Sequence, residues 1–243
     1  MATLKVLVKL PHLHTNMRYI KLFILFFGLY ITNVNLSAQN NFTGFGESVL
    51  AVNHKASQSY TVSFALEARY FLYKNNALLL KQQQVDFAHF STLHFNYNHS
   101  LSLGVEYRNR VVFNEGSNEL RLTEQYNYKT QKLGVRYGHR FRSEQRFFEN
   151  ETVFRQRYRF AVDFPINGEK LDIGEAYLVS TVESLLSLSQ ANKPETDIRL
   201  ASQIGWQITE DLKLQTGLEY RLGAFNVDTT HQLFLLTTGV LKI

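Results

Sequence analysis

Between residues 153 and 164 the chain alternates with a period of two. Arg155, Arg157, Arg159 and Asp163 fall on one face of an extended strand, and Phe154, Tyr158, Phe160, Val162 and Phe164 fall on the other. Gln156 is the one polar residue on the aromatic face. The polar face of a soluble sheet meets water and is usually built from Lys, Glu, Thr and Ser. A row of guanidinium groups backed by a row of aromatic rings suits a barrel wall instead, with the apolar face toward lipid and the arginines toward the lumen.

The same phase recurs along the chain. Residues 60–72 set Val62, Phe64, Leu66 and Tyr70 against Glu67 and Arg69, and residues 101–110 set Leu103, Val105 and Tyr107 against Glu106, Arg108 and Arg110. Residues 132–147 oppose Leu133, Val135, Tyr137 and Phe141 to Arg136, Arg140, Arg142, Glu144 and Arg146. Residues 212–222 oppose Leu214, Leu218, Tyr220 and Leu222 to Lys213, Glu219 and Arg221. With Arg121 flanked by Leu120 and Leu122, and Arg199 by Ile198 and Leu200, every arginine beyond Ala38 lies on the polar face of its strand. A lipid-facing arginine costs about 2–4 kcal/mol at the bilayer midplane, so the partition has a physical cause.

A short basic region containing Arg18 and Lys21 precedes an apolar run at residues 22–31, and Asn35, Leu36, Ser37, Ala38 and Gln39 follow. This order is that of a secretory signal peptide cleaved after Ala38, with Met17 as an alternative start; the apolar run is too short to span a bilayer as a helix. Residues 1–38 are therefore expected to be a leader and residues 39–243 the barrel. The leader holds Lys5, Lys9, Arg18 and Lys21 and no acid, so its removal takes the 26 basic residues to 22, against 21 acidic ones. The mature chain is nearly neutral, and the basic balance of the whole sequence gives no support to a nucleic-acid partner. With no cysteine, thiol catalysis and thiolate metal sites are excluded.

Turn signals follow at regular intervals. Those at residues 96–99, 130–131, 167–170 and 209–211 are short, and those at 114–118, 148–151, 187–195 and 224–230 are longer or more polar. Short and long connections alternate, as between the two rims of an outer-membrane barrel. Segments begin near Phe45, Tyr60, Gln83, Leu101, Glu119, Leu133, Thr152, Leu171, Thr196, Leu212 and His231. Because single-chain bacterial barrels are usually even-stranded, the expectation is an all-β antiparallel transmembrane barrel of about 10–12 strands with short periplasmic turns. The final segment puts Leu233, Leu235, Leu241 and Ile243 on one face, as in a strand that closes such a barrel.

The run Arg142, Ser143, Glu144, Gln145, Arg146 and Phe147, followed by Arg155, Arg157 and Arg159, then Phe164, Pro165, Glu183, Asp197 and Arg199, resembles the DUF2490 family of uncharacterised bacterial proteins regarded as outer-membrane barrels. The resemblance spans most of the mature chain. It implies a barrel in the outer membrane of a Gram-negative bacterium and carries no activity; outer-membrane lipid, and the barrel-assembly machinery that recognises a terminal strand, are the expected partners.

Chemistry must come from the residues themselves. Facing the expected lumen are Glu106, Arg108, Arg110, Arg136, Arg140, Arg142, Glu144, Arg146, Arg155, Arg157, Arg159, Glu175, Glu183, Arg199, Glu219 and Arg221. Paired across a narrow interior they form a structural ladder, because a buried charge without a partner costs several kcal/mol. Surplus arginine would instead line a pore or pocket for anions such as carboxylates or phosphates. The structural reading is preferred, since small barrels fill their lumen with side chains; a small anion-preferring pore is the alternative. A catalytic reading rests on His89 and Ser91, an imidazole and a hydroxyl on the same face of one strand. The pair is similar to the His-x-Ser of the outer-membrane phospholipase A family, although Thr92 and Leu93 stand where that family has Asn-Gly. His54, His94, His99, His139 and His231 lack metal-ligand spacing, and no residue pattern implies a cofactor.

Overall fold

The computed structural model describes residues 42–243; the leader and its cleavage site after Ala38 lie outside the described residues. The chain forms eleven strands: β1 (Phe42–His54), β2 (Tyr60–Lys74), β3 (Ala77–His94), β4 (His99–Asn109), β5 (Glu119–Lys132), β6 (Val135–Phe147), β7 (Thr152–Pro165), β8 (Ala176–Leu188), β9 (Glu195–Gln207), β10 (Leu212–Gly223) and β11 (Thr230–Lys242), with one 3-10 turn at Val111–Phe113. They close into a barrel in which sequence neighbours pair antiparallel. The seam joins β1 to β11 in parallel, from Phe42 opposite His231 to Asn53 opposite Lys242.

Each segment read from the sequence corresponds to a strand, but the even count does not hold among the described residues. An up-and-down meander with an odd number of strands brings its first and last members to the seam pointing the same way, so the ladder there must be parallel. Two boundaries also move. Thr130 and Gln131 are in β5, and the turn is at Leu133 and Gly134, whose φ values of 49° and 76° give the two left-handed positions of a tight hairpin. The eighth strand begins at Ala176 rather than near Leu171, because residues 166–175 form a ten-residue connection.

Alternation places residues 55–59, 95–98, 133–134, 166–175 and 208–211 at one rim, with Ile243. Residues 75–76, 110–118, 148–151, 189–194 and 224–229 lie at the other. The long connections marked out in the sequence gather at this second rim, while 166–175 makes the first rim less uniformly short than the sequence suggested.

The outward face is apolar along its height: Phe64, Leu66, Leu103, Val182 and Leu218 are all exposed. A 13-residue strand such as β1 is about 43 Å long at about 3.3 Å per residue. At a tilt of about 40° it rises about 33 Å, close to the hydrocarbon thickness of a bilayer. Toward the rim of Ile243 the outer face carries an aromatic and imidazole band. His99 stacks on Tyr126, Tyr128 on His139, and His139 on Tyr158, and His99 and His139 are hydrogen-bonded to the Tyr126 and Tyr158 hydroxyls at 2.6 and 2.9 Å. Amphipathic rings of this kind suit a membrane interface. Gln156, the polar intruder, is outside and donates to Ser143 Oγ at 3.0 Å.

Inward side chains pack against one another in part of the interior. Phe45, Phe71, Phe234 and Leu236 form a buried cluster inside the barrel, with Phe45 stacked on Phe234 at 4.8 Å. The guanidinium of Arg221 lies 3.6 Å above the Phe234 ring and that of Arg69 at 5.1 Å. Phe90 lies flat across Gly104 of the neighbouring strand: a Cβ added there would meet the ring at 2.3 Å. The glycine is what lets the aromatic side chain lie against the wall.

Candidate functional site

The lumen is organised around five buried acids, each clamped by arginine. Glu119, at the start of β5, accepts from Arg146 through both oxygens, Nε to Oε1 at 2.7 Å and Nη2 to Oε2 at 2.9 Å, and from Arg121 Nη2 at 2.7 Å. Arg108 lies 3.5 Å away and itself donates to Asp86 at 2.9 and 2.5 Å. Asp86 also accepts from Gln84 at 3.0 Å. Glu47 of β1 accepts from Arg69 of β2 at 2.6 Å, and across the seam Arg221 lies 3.6 Å from it and in turn donates to Glu219.

The remaining acids belong to the ladder of β6, β7 and β8. Arg157 Nη1 donates to Glu144 Oε1 and Nη2 to Glu183 Oε2, each at 2.7 Å. Arg142 approaches Glu144 at 3.4 Å, Arg121 at 3.8 Å, and Arg199 lies 3.8 Å from Glu183. Glu144, Glu119 and Asp86 are 0%, 1% and 2% exposed. Charges so far from water persist only because fork-shaped, charge-assisted hydrogen bonds replace hydration.

Arginine outnumbers these acids. Arg155 donates to Ser187 Oγ at 2.9 Å, Arg140 to Asn127 Oδ1 at 3.2 Å, and Arg110 to Gln84 Oε1 at 3.0 Å with Glu119 only at 4.0 Å. Arg159 makes no hydrogen bond or ion pair to a described residue; Glu183, directly opposite it on β8, is drawn to Arg157. Arg136 sits at the rim of Ile243 and pairs with Asp163 at 2.9 Å. Glu106 is shared by Arg108 and Arg121, each at 3.2 Å. Glu175, grouped with the lumen acids from its sequence phase, lies instead in the 166–175 connection and accepts the backbone N–H of Asp172 at 3.0 Å; the strand that would have turned it inward has not yet begun.

Sequence reasoning did not single out Glu47, Asp86 and Glu119. Asp86 between Val85 and Phe87, and Glu119 two residues before Arg121, carry the same alternation as the arginines. It also assumed that apolar side chains point outward, and so missed the inward Phe45, Phe71, Phe234 and Leu236. The signal for β11 was that Leu233, Phe234, Leu235 and Leu236 are apolar on both faces.

Two cavities that share no lining residue face opposite rims, and arginines of the ladder, among them Arg108, Arg121, Arg157 and Arg221, line the first of them. One, of about 490 Å³, faces the rim of long connections and is lined by Arg110, Arg146, Arg155, Glu195, Asp197 and Asp228 among others. The other, of about 700 Å³, faces the rim of Ile243 and is lined by Lys55, Lys129, Arg140, Arg159 and Lys242 with several hydroxyl groups.

On the outer wall His89 Nε2 and Ser91 Oγ are hydrogen-bonded at 3.2 Å, and the Tyr60 hydroxyl donates to the same Oγ at 2.9 Å. His89 Nδ1 is buried without a hydrogen-bond partner, so no side chain orients the imidazole as a base. Among the described residues no group of His, Asp and Glu is placed to hold a metal ion.

No curated protein matches the sequence. The fold is similar to that of LpxR from Salmonella typhimurium, with 9% identity and a TM-score of 0.46 over 74% of this chain and 83% of that one. The family model described as "Protein of unknown function (DUF2490)" matches residues 48–232, most of the barrel from β1 to β11, and the chain belongs to the DUF2490 family.

Proposed function

We propose that the chain is an outer-membrane β-barrel of a Gram-negative bacterium, exported with a cleaved leader and folded by the barrel-assembly machinery, whose lumen is closed by its own side chains. The observation that carries this reading is Arg157 bound to Glu144 and Glu183 at 2.7 Å, beside the packed Phe45, Phe71 and Phe234. A pore needs a continuous wet path and weakly held wall charges. Here the arginines that would select anions at mid-height are committed to buried carboxylates. The apolar outer wall with its aromatic and imidazole band supports lipid surroundings.

Conductance of the refolded protein in a planar bilayer tests it: small or no steps are expected, and steady anion-selective steps would establish the pore reading instead. The hydrolase reading is favoured only by the 3.2 Å His89–Ser91 contact. Release of fatty acid from phospholipid vesicles, abolished by Ser91→Ala, would establish it.

A further inference from the structure

We propose that Arg140 and Arg159 form an oxyanion-binding site in the cavity that opens at the rim of Ile243. The two arginines are directly opposite each other on β6 and β7, a juxtaposition that is unfavourable for like charges unless something lies between them. The next pair along the same ladder, Arg142 opposite Arg157, shows how this barrel satisfies it. There Glu144 Oε1 stands between the two guanidinium groups, 2.7 Å from Arg157 and 3.4 Å from Arg142. Gln125 Oε1 takes the remaining N–H groups of Arg142 at 2.9 and 2.5 Å.

At Arg140 and Arg159 no carboxylate of a described residue fills that place. Among the described residues Arg140 has a single bond, to Asn127 Oδ1 at 3.2 Å, and Arg159 has none, while Glu183 and Asp163 are held by Arg157 and Arg136. The cavity in front of them, about 700 Å³, adds Lys55, Lys129 and Lys242 and the hydroxyls of Ser63 and Ser100. Its size is that of a small-molecule site, and planar guanidinium groups suit a phosphate or carboxylate held through two oxygens. The ligand is thus an anion bearing several oxygens, either a free solute entering from the aqueous rim or the phosphate of a lipid headgroup reaching over it. The site rests on the register pair and not on the closed lumen: a barrel that conducts yet binds phosphate would overturn the closure and leave the site standing.

The test is titration of the refolded barrel in non-ionic detergent with inorganic phosphate, against chloride at equal ionic strength, read by calorimetry and by the temperature at which heat-modifiable gel mobility is lost. Phosphate is expected to bind and to raise that temperature. The R140Q/R159Q double variant should lose affinity at least tenfold without unfolding earlier in chloride, since a like-charge pair has been removed. Arg155→Gln, which faces the other cavity, should bind as before. Dihexanoyl phosphatidate below its micelle concentration distinguishes the source: tighter binding than inorganic phosphate points to a headgroup, equal or weaker binding to a solute. If the double variant does not refold, Arg159→Gln replaces it. Absence of phosphate binding by the unaltered barrel, or undiminished binding by the variant, would overturn the proposal.

Discussion

Arg157 reaches Glu144 at 2.7 Å across the β6–β7 ladder, and the same guanidinium holds Glu183 on the other side. Glu144 is wholly buried and one of its oxygens, Oε2, has no hydrogen-bond partner, so it depends on its arginines for compensation. Arg157→Leu is expected to destabilise the barrel by about 3–5 kcal/mol, the cost of stranding a buried charge. Tyr158→Leu, one residue along and on the outer wall, removes a hydrogen bond to His139 and should cost about 1 kcal/mol. Urea titration followed by heat-modifiable gel mobility compares them; equal losses would mean that the two faces of β7 are exchanged.

A second pair tests the filling of the lumen. Gly104 lies under Phe90, where an added Cβ would fall 2.3 Å from the ring, whereas one at Gly138 would meet only Ala161 Cβ at 3.7 Å. Gly104→Ala should displace Phe90, on which the Arg142 guanidinium rests at 5.4 Å, and cost about 1–3 kcal/mol. Gly138→Ala should be neutral or slightly stabilising, because the strand loses conformational freedom in its unfolded state without a clash. The same unfolding titration reads both, and equal behaviour would show that Phe90 is free to move.

The barrel was legible in the sequence because the cost of turning an arginine toward lipid predicts the alternation of β2, β4, β5, β6, β7, β9 and β10, the strands that carry arginine. That one constraint located Arg69, Arg121, Arg140, Arg157 and Arg221 on one face without any knowledge of partners. Partnership was not legible, because it depends on register: Glu183 is opposite Arg159 on β8 yet bonds Arg157, a choice made by side-chain reach across the lumen. Inward phenylalanines were hidden for a related reason. Phe45 and Phe234 obey no polar-in rule, since inward side chains that pack on one another, as these two do with Phe71, are buried without being polar. Turn positions shifted where backbone conformation outweighed hydropathy, as at Leu133, an apolar residue carried into a left-handed turn.

Acid should loosen the longest connection of the long rim. Glu115, in the 110–118 connection, accepts from Lys81 at 2.6 Å and lies 3.5 Å from Lys74, and the Lys81 hydrogen bond holds its carboxyl below the ordinary 4.5. A depressed carboxyl contributes its tether fully above the ordinary pKa and loses it as pH falls through the lowered one. A spin label on Ser117→Cys, the sole thiol in a chain with no cysteine, should therefore gain mobility as pH drops below about 4.5. Glu115→Gln should be mobile already at neutral pH and show no such transition; an unchanged pH response in that variant would assign the loosening to another group.

Orientation is the last expectation, and it follows from the distribution of connections. Residues 189–194 project from the rim that also carries 110–118, 148–151 and 224–229, and residues 166–175 project from the rim of Ile243. Outer-membrane barrels keep longer connections outside and short turns in the periplasm, so the rim of Ile243 should face the periplasm. The first segment has six residues and the second ten, and a protease cuts either one when it can reach it. Added to intact cells, protease should cleave within 189–194 and spare 166–175, and permeabilising the outer membrane should expose the second site. Cleavage of 166–175 first in intact cells would invert the barrel, and with it the side of the membrane from which the Arg140–Arg159 cavity is reached.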